Sequence, residues 1–189
     1  MFYKTILRPS SAKLSEKKSI FTAYAFPINS EDEAKQLLAD AKKNHKEAAH
    51  LPFAYRLRGK LPIERWNDNG EPSKTAGFPV HKVLEQKEVT NILIYVVRVY
   101  GGVKLGPAGL MRAFSTVAQM ALEDNEIVER EITSEKIIET DIYHFSLVEA
   151  FLKQNQIKYK SDFDSQKVIV TIELPEEKED LFEELSRLA

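Results

Sequence analysis

The chain contains no cysteine among its 189 residues, which excludes disulfides, thiolate zinc sites and a cysteine nucleophile. No apolar run approaches the roughly 18 residues of a membrane helix. The opening stretch MFYKTILRPSSAKLSEKKS lacks the apolar core and small-residue cleavage site of a secretory signal. A cytoplasmic location with no membrane partner is therefore expected. The four histidines, His45, His50, His81 and His144, show no H-E-x-x-H or comparable spacing, so neither a metal nor another cofactor is expected. His50, beside a strand, reads as a structural or surface residue. No repeat of solenoid length is visible.

What is present suffices for a core: 43% of residues are hydrophobic and 10% aromatic, far from the composition of disorder. The net charge of −2 is unevenly spread. Residues 1–124 carry 19 Lys+Arg against 13 Asp+Glu, a net of +6, and residues 125–189 carry 8 against 16, a net of −8. The split suits a polyanion-binding domain beside a solvating or partner-facing one; equally, the halves can simply complement each other.

The N-terminal dozen residues read as a loose polar arm. The run SIFTAYAFPI, Ser19 to Ile28, is rich in aromatic and β-branched residues and predicts a strand. Ser30 and Glu33 form a capping box before a helix ending near Asn44. A hairpin is expected from Leu51–Leu57 and Ile63–Trp66, turning at Gly59 and Lys60. After the loop NDNGEPSKTAG, Val80, Val83 and Leu84 predict a short helix. NILIYVVRVY, from Asn91 to Tyr100, reads as a central strand. The loop GGVKLGPAG then opens a helix with Leu110, Ala113, Phe114, Val117, Ala121 and Leu122 on its core face, and the first domain is expected to end near Asp124. Beyond it, the spacing predicts a strand-like stretch from Ile127 to His144 and a helix capped by Ser146 and Glu149. Two strands joined at Asp164 and Ser165 follow, then a helix with Pro175 in its first turn. That βαββα order predicts an α+β protein of two domains, 1–124 and 125–189. The second is expected to be a ferredoxin-like α/β sandwich lacking its last strand, since the sequence ends at Ala189.

Two loops carry the residues suited to chemistry. The first holds Asp68, Gly70, Glu71, Lys74 and Thr75. If Ser73 or Thr75 caps the next helix, its free N–H groups and the Lys74 charge favour a phosphate or carboxylate. It is not a Walker motif, because Ser73 stands before Lys74 where that motif has glycine. Asp68 and Glu71 are the catalytic candidates, as an acid–base pair or as carboxylates reaching Mg²⁺ through a ligand's phosphates. The plainer alternative is that they accept backbone hydrogen bonds and fix the loop. The second loop brings Arg98, Gly101, Gly102, Lys104 and Gly106 to a strand-to-helix turn, where successive N–H groups can form an anion nest. It lacks G-x-G-x-x-G spacing, and a sharp connection alone would also explain its glycines. Arg56, Arg58, Lys60 and Arg65 on the hairpin, near Tyr55 and Trp66, add a surface able to follow a phosphate backbone. Tyr55 shares an apolar face with Phe53 and Leu57 and is itself expected in the core.

Three segments together, KKSIFTAYA near Lys17–Ala25, NDNGEPSKTAGFP at Asn67–Pro79 and VVRVYGGVKLGPAGLMRAF at Val96–Phe114, resemble the Impact/YigZ family in order and spacing. The resemblance covers most of residues 15–124. It implies a first domain like the second domain of small-subunit ribosomal protein five, including a left-handed βαβ crossover. It further implies a second domain like the C-terminal domain of elongation factor G. Eukaryotic members are regulators linked to translation, and nucleic-acid or ribosome binding has been suggested for bacterial ones from their folds. The sequence departs from the family pattern at Ile20 (arginine there), Asn69 (acidic), Lys74 (glycine), Val99 (tyrosine) and Ala108 (glycine). The implied function is that of a non-enzymatic regulatory or binding protein. It would engage RNA, the ribosome, a translation-related protein or a phosphate-bearing ligand through the basic first domain. The alternatives are a small enzyme acting on a phosphorylated metabolite and a protein–protein adaptor.

Overall fold

The computed structural model describes every residue except Met1, Glu47, Ala49, Lys60, Ser165 and Gln166. Among the described residues the chain is a mixed α+β protein of two compact units, one spanning Lys4–Glu129 and the other built on Arg130–Ala189.

In the first unit the strands β2 (Ser10–Glu16), β3 (Ser19–Pro27), β4 (Phe53–Leu57), β5 (Ile63–Asn67) and β6 (Ile92–Val99) make a five-stranded sheet in the order β2-β3-β6-β4-β5. The alternation of β6 explains its central place. Ile92, Ile94 and Val96 face one layer with Phe21, Ala23 and Ala25, under α2 (Gly77–Gln86) and α3 (Gly106–Glu123). Leu93, Tyr95 and Val97 face the other, with Tyr55 and Leu57, against α1 (Glu31–Asn44). Both faces are apolar because both are covered. Phe114 of α3 meets Phe21 edge-on, centroids 5.1 Å apart, and both are fully buried. Burying such a ring stabilises the fold by about 1.5–3 kcal/mol.

Ser30 caps α1 as its sequence requires, Oγ accepting from Glu33 N–H at 3.1 Å, while the Glu33 carboxylate takes the Asn29 N–H at 2.7 Å. The polar N-terminal arm, by contrast, is ordered. Phe2–Ile6 form β1, paired with β7 (Ile127–Glu131), and Ser10–Glu16 pair antiparallel with β3. Ile6 is fully buried, Ala12 and Leu14 pack on the core, and Ser10 Oγ donates to the Ala121 carbonyl at 2.7 Å. Pairing across the chain overrides the weak strand propensity of SSAKLSE.

Tyr55 and Tyr95 lie in the α1 layer, and both hydroxyls are pushed up to about 12. Burial is the main cause in each; Tyr55 is raised further by its 2.5 Å bond to Glu31 and Tyr95 by the neighbouring Tyr24. Unfolded tyrosine ionises near pH 10. The folded chain thus holds more protons between pH 10 and 12, so this contribution to stability is complete below pH 10 and lost towards pH 12. Phenolate absorbance should show Tyr55 and Tyr95 titrating late, together with unfolding.

The second unit has β8 (Thr133–Asp141), α4 (Ile142–Gln154), β9 (Lys158–Asp164), β10 (Lys167–Pro175) and α5 (Asp180–Ser186), with the antiparallel sheet order β8-β10-β9. Among the described residues that order is a three-stranded sandwich of the ferredoxin-like kind. Val168, Val170, Ile172 and Leu174 alternate onto the helices, meeting Val148, Leu152 and Leu185. Three sequence expectations are corrected here. The stretch 127–144 is two strands and a helix start, because Asp141 rather than Ser146 caps α4, its Oδ1 accepting the His144 N–H at 2.8 Å. Pro175 ends β10, and α5 begins only at Asp180 after a 3₁₀ turn, Glu176–Lys178. Asp164 lies at the end of β9, and Ser165 and Lys60, the expected turn residues, fall outside the described residues.

A candidate anion-binding cleft

The first loop is organised by Asp68. Its Oδ2 accepts the Lys74 N–H at 2.7 Å, and its Oδ1 accepts the N–H groups of Ala76 and Gly77 at 3.0 and 2.9 Å. The α2 cap is thus Ala76 helped by a remote carboxylate, and neither Ser73 nor Thr75 caps. Thr75 instead donates its hydroxyl to the Pro72 carbonyl at 2.6 Å. A ligand anion at α2 would have to displace Asp68, so the free amides expected there are not on offer. The Lys74 ammonium lies 5.9 Å from the Phe78 ring centroid.

Lys74 has φ +60°, in the left-handed region where the resembled family has glycine. A side chain there costs about 1–2 kcal/mol of backbone strain, while glycine would return part of that through its freer unfolded state. Lys74→Gly is therefore expected to raise stability by up to about 1 kcal/mol, read from urea midpoints at constant m.

Glu71, whose side chain is only 3% exposed, turns the other way to meet the second loop. Arg98 Nη1 donates to both its oxygens, at 2.8 and 2.7 Å. His50 stands beside the pair, Nδ1 3.6 Å from Glu71 Oε1. Gly70 makes room for that ring: with φ +93°, a Cβ there would sit 2.5 Å from His50 Cδ2. No spacing joins residues 50 and 71; the only local sign is glycine at 70.

Arg98 continues the face of Ile92, Ile94 and Val96, so its guanidinium packs over Phe21 at 5.4 Å and beside Tyr100 at 5.5 Å. At Gly101 the chain passes so near the β2–β3 turn that a Cβ would lie 2.0 Å from the Lys18 carbonyl carbon. The Gly101 N–H donates to the buried Ser19 Oγ at 3.1 Å, which fixes where α3 begins. Gly102 and Gly106 have φ +82° and +73° and open space about them. Pro107 sits in the first turn of α3, and no side chain caps that helix. Its leading N–H groups therefore keep their partial positive charge.

Glu71, Pro72, Arg98, Lys104, Gly106 and Pro107 line a cleft of about 410 Å³, with Tyr100, Leu105 and Leu110 as its apolar wall. The two loops thus meet through residues 71–72 and 98–107. Of the sequence candidates, Glu71, Arg98, Lys104 and Gly106 line this space. Gly101 and Gly102 lie in the connecting loop, Gly70 is pressed on His50, and Asp68, Lys74 and Thr75 serve the first loop's own structure. Among the described residues no cluster of His, Asp and Glu has the arrangement of a metal site.

The hairpin is less available than its charge suggested. Arg56 is spent on Glu64 at 2.8 Å and on the carbonyls of Leu84 and Val89, and Tyr55 is core.

A two-domain α+β protein with a glycine-turned cleft between these loops is the class that fold and site define. Residues 17–122 match the Impact N-terminal domain, and the chain belongs to the Impact family. It is 29% identical over 182 residues to the IMPACT family member YvyE of Bacillus subtilis, spanning 96% of this chain and 84% of that one. It is 33% identical to an IMPACT family member of Haemophilus influenzae, over 82% and 78% of the two chains. A solved structure described as a hypothetical protein superimposes with a TM-score of 0.75 at 26% identity, covering 100% of this chain and 93% of that one.

Proposed function

We propose that this chain is a non-enzymatic, translation-associated binding protein whose first unit engages RNA through the cleft at the start of α3. The observation that carries this reading is the convergence of Lys104, Arg98 and the uncapped N-terminus of α3 on one space beside the exposed Tyr100. A phosphate there gains the helix dipole, the nest of amides and the Lys104 charge, while Tyr100 offers a ring for a base. The excess of +6 over residues 1–124 supplies long-range attraction. Membership of the Impact family supports the translational setting, and cytoplasmic residence follows from that reading. The non-enzymatic part rests on the carboxylates: Asp68 is occupied by three backbone amides and Glu71 by Arg98.

Binding of a mixed short RNA pool across a salt series tests this. Affinity should fall steeply with salt as phosphate contacts release counterions. Lys104→Ala should reduce the log–log slope by about 1, whereas Lys74→Ala, away from the cleft, should leave it unchanged. No RNA binding at low salt, or equal effects of the two variants, would defeat the reading.

A further inference from the structure

In the second unit, the sheet order β8-β10-β9 leaves β8, among the described residues, bonded on one side only. The phase of its ladder can be read from the residue before it. Glu176 N–H donates to the Ile132 carbonyl at 2.9 Å, and the next pair along is Pro175 with Thr133. Hydrogen-bonded and non-bonded pairs alternate in an antiparallel ladder. Ser134, Lys136, Ile138 and Thr140 therefore bond to β10, and the main-chain groups of Glu135, Ile137 and Glu139 point away from it. Among the described residues, those outward groups have no backbone partner.

β8 is nine residues long, with no proline and an unbroken register, so it has neither the shortness nor the bulge that usually blunts an edge. The side chains of the same three residues lie on the sheet's open face, Ile137 being 63% exposed between two glutamates. Their charges select against a second copy. Paired antiparallel about Ile137, two β8 strands would set Glu135 against Glu139 twice, and like charges directly opposite are destabilising. On the other side Glu135 faces Glu173 of β10, and among the described residues neither side chain has an ion-pair partner. Glu139 is paired to Lys167. The edge thus offers peptide groups for a strand and carboxylates for cations.

We propose that the free edge of β8 is a docking site for an extended basic segment of a partner protein, added as a fourth strand. Lysine or arginine would stand opposite Glu135 and Glu139, and an apolar residue opposite Ile137. Main-chain bonds supply affinity and the alternate side chains supply choice, as in other strand additions. This site is independent of the RNA cleft.

The test uses the full chain and a fluorescent peptide, Thr-Lys-Thr-Val-Thr-Lys-Thr. One control replaces both lysines by glutamate. Another replaces the valine by proline, keeping the charge but removing the main-chain donor that would face Ile137. The lysine peptide should bind at least about tenfold more tightly than either control. It should also slow hydrogen exchange at the amides of Glu135, Ile137 and Glu139. The exposed double variant Glu135→Lys/Glu139→Lys should reverse the preference in favour of the glutamate peptide. Equal affinity for the proline peptide would reduce the effect to the unit's negative charge and overturn the proposal. So would an unchanged preference in the double variant, or no binding by any peptide. Concentration-dependent protection of the same amides without peptide would place a second copy there and overturn it as well.

Discussion

Arg98→Met should destabilise the first unit by roughly 3–5 kcal/mol, the usual cost of removing one partner from a buried ion pair. Glu71 would be left 97% enclosed with its charge uncompensated, since its side chain is 3% exposed and both oxygens are held by Arg98 Nη1. His50 is too far, at 3.6 Å, to replace a bidentate bond. The distinguishing result is the double variant. Arg98→Met combined with Glu71→Gln removes the stranded charge, and at least half of the loss should return in urea unfolding. If the two losses instead add, the pair is not the link that holds the loops together. Because Arg98 also packs on Phe21 and Tyr100, methionine rather than alanine is the informative replacement; it keeps most of the contact area.

Asp68→Ala should cost roughly 2–3 kcal/mol, above the ordinary value for a helix cap, because three backbone amides lose a charged acceptor at once. Asp68→Asn should retain part of that stability, since an amide oxygen can still accept from Ala76 and Gly77. Far-ultraviolet circular dichroism and thermal melting measure both. An Asp68→Ala protein as stable as the parent would mean the loop is held by its turns alone.

Both predictions concern residues whose chemistry was visible in the sequence and whose partners were not. The string NDNGEPSKTAG marks a special loop, and glycine and acidic residues at these positions are legible as such. Which amides Asp68 would satisfy depends on a loop closing over six to nine residues, a matter of geometry that spacing does not encode. Glu71 was legible as a carboxylate near glycine, but its partner lies 27 positions away on β6 and only the sheet brings it there. Local signals were read well where they act locally. Ser30 and Glu33 fix the start of α1, and the unbroken apolar run of β6 announces a strand covered on both faces. The sequence misled where a tertiary partner decides. The N-terminal dozen looked like a loose arm because its polar residues have little strand preference, and only the pairing of β1 with β7 and of β2 with β3, under the cover of α3, orders it. Ser146 and Glu149 imitate a capping box, yet Asp141, whose Oδ1 takes the His144 amide, starts the helix a turn earlier.

The cleft gives the account its functional content. It is small, about 410 Å³, and its cationic side is built from few parts: Lys104, the outer part of Arg98 and the first amides of α3. On the proposed reading those parts would take one or two nucleotides rather than a long duplex, with the exposed tyrosine as the stacking surface.

The most direct measurement follows backbone amide resonances as a short single-stranded RNA is titrated into the full chain. If phosphate settles on the cleft, the largest shifts fall at Gly102, Lys104, Gly106 and Ala108. Shifts gathered instead on the hairpin of residues 53–67 or in the second unit, with those four unmoved, would contradict the account.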